Sequence, residues 1–431
     1  MFLGEEHAGM QVALPYGRGT SRVELPSSCA VEKLEPPPRP ALEDPAAALV
    51  TALNEPTAGP PLRRLIRPGM RVAVAVADWT RACTYAALLS PLLDELNGCG
   101  VPDEAITLLI AYGTHARQPD EASQKLYGEA ACRRVAIVHH DCDADDLVEV
   151  GATPAGTRVA LNPRYVGADA AITVGAVGFH YFAGTGGGPK LVFPGLAGRA
   201  GVLANHARYV EQMLAEPRRL KGEHHGNACA EDIREAVALA SPAFSIHCLL
   251  NGRGEPSEIF SGRWEASHDE ACERLRETAM IEVKKRFDVV IASCGGFPRD
   301  ITLIQAHKSL DNACELVRDG GTLLLAAECS EGVGSETFLS WFDLDDAAFL
   351  DELTHRYELH GGTAYAMRRK AARCRVHLLS RLPEETVRRI GATPIADFQA
   401  ALDEALAKRP DAQVALIPNA AETVARDLST G

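Results

Sequence analysis

Over residues 178–208 the chain strings one lysine and two histidines along a glycine-dense backbone. The stretch reads Gly178-Phe179-His180-Tyr181-Phe182-Ala183-Gly184-Thr185-Gly186-Gly187-Gly188-Pro189-Lys190, and it continues to Asn205-His206-Ala207-Arg208. Glycine removes the side-chain wall, so main chain here can approach a ligand closely. A lysine amine forms covalent links to electrophilic cofactors, and neutral imidazole is both a common transition-metal ligand and the base best matched to neutral pH. Lys190 therefore offers an anchor, and the histidines His180 and His206 a base and a ligand without distinction between them, in one segment. The nucleoside-triphosphate loop pattern is not met, because it needs Gly directly before Lys and Ser or Thr after it. Pro189 and Leu191 flank Lys190 instead.

Further polar residues stand where short apolar runs stop. The run at 72–77 ends at Asp78-Trp79-Thr80-Arg81, that at 106–111 leads to Gly113-Thr114-His115, that at 135–138 to His139-His140, and that at 170–174 to Gly178-Phe179-His180. Continuous apolar runs of this length predict strands buried on both faces of a parallel sheet. Open α/β sheets bind ligands just beyond the carboxyl ends of their strands, so Asp78, His115 and His180 are expected to converge in one crevice. Each has a plainer reading: Asp78 as the cap of a helix starting at Thr84, and His115 as a satisfied structural histidine. Gln305 and Lys308 share a helical face at spacing i, i+3 and could grip a carboxylate, against a solvated surface lysine as the plainer reading. His139, His140, His224 and His225 are assigned surface or helix-cap roles.

The elements that must position these residues alternate. Helical periodicity covers 85–96, 201–214, 231–240 and 270–285, and a second series of apolar runs follows at 288–293, 322–327 and 376–379. The pattern predicts an α/β fold of two α/β domains with mostly parallel sheets and the active site in the interdomain cleft. Residues 1–279 with 412–431 form the expected catalytic domain, the last apolar run at 414–417 returning to it, and residues 280–411 form the second. Residues 30–47, with Pro36-Pro37-Pro38 and Pro40, read as an extended surface connector.

Lys and Arg number 44 against 58 Asp and Glu, a net charge of −14, and no basic run interleaved with aromatics occurs, so nucleic acid is not an expected partner. An anionic substrate must then be drawn in by a local group of Arg and Lys. The 12 cysteines contain no C-x-x-C pair, against zinc ribbons and disulfide frameworks and in favour of a reducing cytoplasm. Residues 1–7 carry acids where a signal peptide needs bases, and no apolar run is long enough to span a bilayer, so no membrane association is expected.

In chain order, D-W-T-R, G-T-H, G-F-H-x-x-x-G-x-G-G-G-P-K, P-G, N-H-A-R and Q-A-H-K resemble the nickel-dependent lactate racemase family, and the resemblance spans both expected domains. It implies a nickel-pincer nucleotide, a Ni(II)-pyridinium-3,5-bisthiocarboxylate mononucleotide, covalently attached at Lys190 with His206 as the protein's ligand to nickel. Asp78, Trp79, Thr80 and Arg81 would cradle it. His115 and His180 match the family's two proton-transferring histidines, and Gln305 and Lys308 its substrate-binding positions, with Arg81 adding a contact to the substrate carboxylate. The implied reaction is racemisation of a 2-hydroxy acid by proton-coupled hydride transfer, served by separate cofactor-synthesis proteins. Ile304 stands where a lactate enzyme of this family has an aromatic neighbour, and the 361–370 region supplies Tyr365 rather than tryptophan. The substrate is accordingly lactate or a 2-hydroxy acid with a larger or more apolar side chain. Two alternatives stand beside this reading: a zinc hydrolase with His115, His180 and His206 as ligands, and a non-catalytic carboxylate- or nucleotide-binding protein.

Overall fold

The computed structural model describes residues 10–26, 29–81, 83, 85–216, 221–409 and 411–427. Thr84 and residues 1–7 lie outside them. The chain divides into two compact units, residues 38–278 and residues 1–37 with 279–431.

The first unit is built on a six-stranded sheet in the order Pro256–Gly262, Phe244–Leu250, Ala170–Ala176, Val72–Ala77, Ile106–Ala111, Ala136–His139. All neighbours are parallel except the first pair. Val72–Ala77 is buried at every position, as a VAVAVA run covered on both faces requires. From this central strand the chain builds outward on one side through 106–111 and 136–139, then crosses back to lay 170–176 on the other side. That reversal makes a topological switch point between Val72–Ala77 and Ala170–Ala176. Asp78 and the glycine-dense segment leave the sheet there.

In the other unit a second six-stranded sheet runs Thr393–Ile395, Arg375–Leu379, Val317–Ala326, Phe287–Ser293, Val414–Ile417, Val31–Lys33, all parallel. The run at 414–417 therefore does not return to the first domain. It pairs with Phe287–Ser293, because four residues buried on both faces carry no local mark of which sheet they join. Residues 1–37 also leave the expected domain. The hairpin Met10–Tyr16 and Gly19–Leu25 buries Leu14, Val23 and Leu25 against Val289, Ile291, Leu324 and Phe398.

Two local expectations are corrected as well. Residues 30–47 are not all connector, since Val31–Lys33 is an edge strand and Asp44 caps the helix Pro45–Asn54 by accepting from the Ala47 N–H at 3.0 Å. The helix expected over 270–285 spans Trp264–Ala279, and Met280–Val283 pairs with Val424–Asp427. Among the described residues no helix is long and apolar enough to cross a membrane.

Candidate active site

The turn that carries Lys190, Gly188–Leu191, closes against the end of the strand Ala170–Ala176, and two glycines make that closure possible. Gly187 (φ +75°) and Gly188 (φ +52°) have left-handed backbone, and a Cβ would lie 2.2 Å from the Ala176 carbonyl oxygen or 2.3 Å from His268 Cδ2. These glycines thus let protein approach protein. Gly178 and Gly186, paired across the short hairpin that carries His180, are the ones beside open space, with nothing nearer than 3.8 Å to an added Cβ.

Phe182 gathers the catalytic candidates of this segment. Its ring centroid lies 4.4 Å from that of His180 in an edge-to-face arrangement, 4.9 Å from that of His206, and 5.3 Å from Lys190 Nζ. Its carbonyl accepts from Asn227 Nδ2 at 3.0 Å. Burial pushes the Lys190 ammonium down, the Arg81 charge pushes it the same way, and the amine titrates at about 7.

His206 rides on the helix Arg199–Ala215, braced from behind by its neighbour Asn205. The fully buried Asn205 amide donates to Asp232 Oδ2 at 2.8 Å and to the Cys229 carbonyl at 3.0 Å. Asp232, also buried, takes hydroxyl bonds from Thr153 at 2.6 Å and Thr157 at 3.0 Å. One satisfied carboxylate thereby locks the His206 helix to the helix Ala228–Ala238.

At the end of Val72–Ala77, Asp78 Oδ2 lies 2.6 Å from His115 Nδ1, and its Oδ1 accepts from the Thr80 amide at 2.8 Å and the Thr80 hydroxyl at 2.6 Å. Burial alone would raise the Asp78 carboxyl, but the bond and charge of His115, with Arg81 and Thr80, hold it at about 2. Asp78 is therefore partner to an imidazole as well as a turn former. The His115 loop is fastened to the Lys190 loop by the Gly113 N–H, which donates to the Gly195 carbonyl at 2.8 Å. Trp79 is 54% exposed, its backbone N–H donating to Gln118 Oε1 at 2.9 Å.

Opposite tautomers follow for the two histidines. His115 gives its Nδ1 hydrogen to a carboxylate, which leaves Nε2 as the basic nitrogen. His180 Nδ1 accepts the Ala183 N–H at 3.2 Å, so a neutral His180 carries its hydrogen on Nε2.

Asp78, Trp79, Thr80, Arg81, His115, His180, Lys190 and His206 all belong to the unit 38–278. Gln305 and Lys308 belong to the other, on the helix Leu303–Glu315, where Lys308 Nζ donates to Gln305 Oε1 at 2.8 Å, so the two share a helical face as their i, i+3 spacing predicts. His140 and His224 are buried rather than superficial, since His140 Nε2 lies 3.1 Å from the Ala197 carbonyl and His224 packs 5.4 Å from His268. Sequence reasoning gave no role to Phe182, Asn205 or Asp232; only the N-H-A-R motif hinted at Asn205. Among the described residues, the groups whose ligand atoms all lie within 4.8 Å are His224, His268 and Cys272, and Asp141, Cys142 and Asp143. His115, His180 and His206 form no such group, which removes the basis for a tri-histidine zinc centre.

Residues 16–216 match the lactate racemase N-terminal domain and residues 282–425 the lactate racemase C-terminal domain. A lactate racemase of Lactiplantibacillus plantarum is 30% identical over 304 residues, 70% of each chain. One from Thermoanaerobacterium thermosaccharolyticum is 29% identical over 292 residues, 68% of this chain and 67% of that one. The solved lactate racemase apoprotein of the latter organism is similar with a TM-score of 0.87 at 25% identity, covering 97% of this chain and all of that one. A Thermotoga maritima protein of 16% identity shares the fold, with a TM-score of 0.68 over 89% of this chain and 97% of its own. With both domain models matched in order, the chain belongs to the lactate racemase family.

Proposed function

We propose that this chain racemises a 2-hydroxy acid, lactate or a relative with a larger or more apolar side chain, with a nickel-pincer nucleotide tethered at Lys190 and ligated by His206. Family membership supports the isomerase class. The observation that carries the reading is the pair of contacts that orients the two rings, His115 Nδ1 on the Asp78 carboxylate and the Ala183 N–H on His180 Nδ1. The hydroxyl proton must leave as the α-hydrogen departs and return once the keto acid has turned, and a base at His115 Nε2 with a hydrogen-bond donor at His180 Nε2 supplies one ring to carry that proton and one to hold the oxygen.

The residues suit the nucleotide. Lys190 supplies an amine that is about half neutral near pH 7, His206 an imidazole on a braced helix, and the flanks of Gly178 and Gly186 offer open space. Nickel accepts imidazole and soft sulfur donors in a planar arrangement. When bound, the nucleotide supplies a reversible acceptor for the α-hydrogen as hydride. The chain's own residues do the rest: His115 removes the hydroxyl proton, Asp78 holds that ring and steadies its imidazolium, and Arg81, Gln305 and Lys308 take the substrate carboxylate. Residues 78–81 cradle the nucleotide. Cofactor-synthesis proteins are the implied partners, and 12 free thiols fit a reducing cytoplasm.

The test is polarimetry on single enantiomers of several 2-hydroxy acids, with protein produced alongside cofactor-building enzymes. The reading predicts loss of optical rotation for at least one acid, abolished in Lys190→Ala and in His180→Ala. Retained rotation with every acid, by protein carrying a Lys190-dependent mass increment, would overturn it.

A further inference from the structure

Behind the glycine loop lies a second cluster that racemisation leaves without a task. His268 and Cys272 stand one turn apart on the helix Trp264–Ala279, so their side chains share a face. His224 meets them from the segment that precedes the helix Ala228–Ala238. All three are buried, at 7% exposure for His224, 2% for His268 and none for Cys272, and their ligand atoms lie within 4.8 Å of one another. His268 Nε2 is 3.5 Å from Cys272 Sγ. Two such ligands on one tetrahedral zinc would stand roughly 3.6 Å apart, from bond lengths of about 2.1 and 2.3 Å.

Chemistry favours a metal over plain packing. His224 Nε2 finds no hydrogen-bond partner among the described residues, an expensive state for a buried imidazole nitrogen. Burial pushes His224 down to about 4 and His268 well below its ordinary range, so protons do not compete for either ring near neutral pH. The same burial pushes the Cys272 thiol up to about 12, and its Sγ donates to Thr185 Oγ1 at 3.4 Å. Around the cluster, His247 packs on His268 with ring centroids 5.4 Å apart and bonds Ser267 Oγ at 3.1 Å, an outer support rather than a fourth ligand.

We propose that His224, His268 and Cys272 bind one borderline-soft divalent ion, with zinc(II) as its representative and a water molecule completing four-coordination. Binding replaces the Cys272 S–H by a metal–sulfur bond and releases that proton to solvent. The ion joins the helix 264–279, the segment carrying His224 and, through Thr185 and Gly188, the loop that presents Lys190. It is a structural site distinct from the one at Lys190 and His206.

Cobalt(II) is the probe. Full-length protein made without cofactor-building enzymes and stripped with chelator is titrated with cobalt(II), and zinc(II) is then added. The proposal predicts one equivalent bound with a thiolate-to-cobalt charge-transfer band in the near ultraviolet, one proton released, and displacement by one equivalent of zinc(II). The band persists in His206→Ala and vanishes in Cys272→Ser. Affinity falls at least about tenfold in His224→Gln, whose altered side chain lies in a loop and carries the test should Cys272→Ser fail to fold. No saturable band, or an equal band in folded Cys272→Ser, overturns the assignment; the latter would place the ion on another thiol such as Cys142.

Discussion

The lowered basicity of Lys190 makes a prediction that needs no cofactor. An amine titrating at about 7 is half unprotonated at pH 7, whereas an ordinary lysine near 10.5 is unprotonated to roughly one part in 3,000. Burial and Arg81 thus raise the reactive fraction by about 1,600-fold. A less basic amine is also a weaker nucleophile, and with a sensitivity of about 0.4–0.5, as for thiolates, that loss is on the order of fortyfold. A net advantage of roughly fortyfold remains. Pulse acetylation of the cofactor-free chain across pH 5.5–9, read by peptide mass spectrometry, measures it against exposed Lys125 in the same sample. Lys190 is expected to label fastest at pH 7 with a midpoint near 7, and Arg81→Met to move that midpoint upward by removing the neighbouring cation. A Lys190 midpoint near 10, or one insensitive to Arg81→Met, would refute the electrostatic argument.

Other substitutions probe the supports of the site. Asp78→Asn removes the acceptor that fixes the His115 tautomer and is expected to slow racemisation by loaded enzyme about 10²- to 10⁴-fold with the fold retained, checked by kcat and circular dichroism. Because the folded Asp78 carboxyl titrates at about 2, below an unfolded value of about 3.9, its contribution is fully present above about pH 4 and is lost as pH falls through 2. The stability gap between wild type and Asp78→Asn therefore narrows over that window in acid denaturation. Gly188→Ala forces a Cβ against His268 from a left-handed backbone and is expected to cost about 1–3 kcal/mol in chemical denaturation. Asp232→Ala strands two hydroxyls and the Asn205 amide in the interior, with an expected loss on the order of 3 kcal/mol and weakened metal retention at His206.

Much of the scaffold was legible because buried parallel strands announce themselves locally. The runs at 72–77, 106–111 and 414–417 coincide with strands of the structure, and the residues just past their ends include Asp78 and His115. Partner choice was not legible, since the strand 414–417 pairs with a strand distant in sequence and the hairpin of residues 10–25 packs on that same sheet through long-range burial. The same limit applies within the site. Its candidate lysine and histidines were singled out by residue type and spacing, but the Asp78–His115 pair, the Phe182 hub and the Asn205–Asp232 brace exist only once separate elements meet. His224 looked superficial for the same reason: the residues that bury it are packed there by the helix 264–279, which no pattern around His224 foretells.

The fate of the α-hydrogen tests hydride transfer most directly. A single enantiomer of a turned-over 2-hydroxy acid, deuterated at C2, is incubated in ordinary water with cofactor-loaded enzyme, and the opposite enantiomer is isolated and its isotope content measured. Hydride transfer between substrate and a tethered acceptor predicts that the new enantiomer keeps its deuterium, while His115 and His180 exchange only the hydroxyl proton with solvent. Product carrying solvent hydrogen at C2 from the first turnover would contradict it and assign the two histidines to abstraction at carbon.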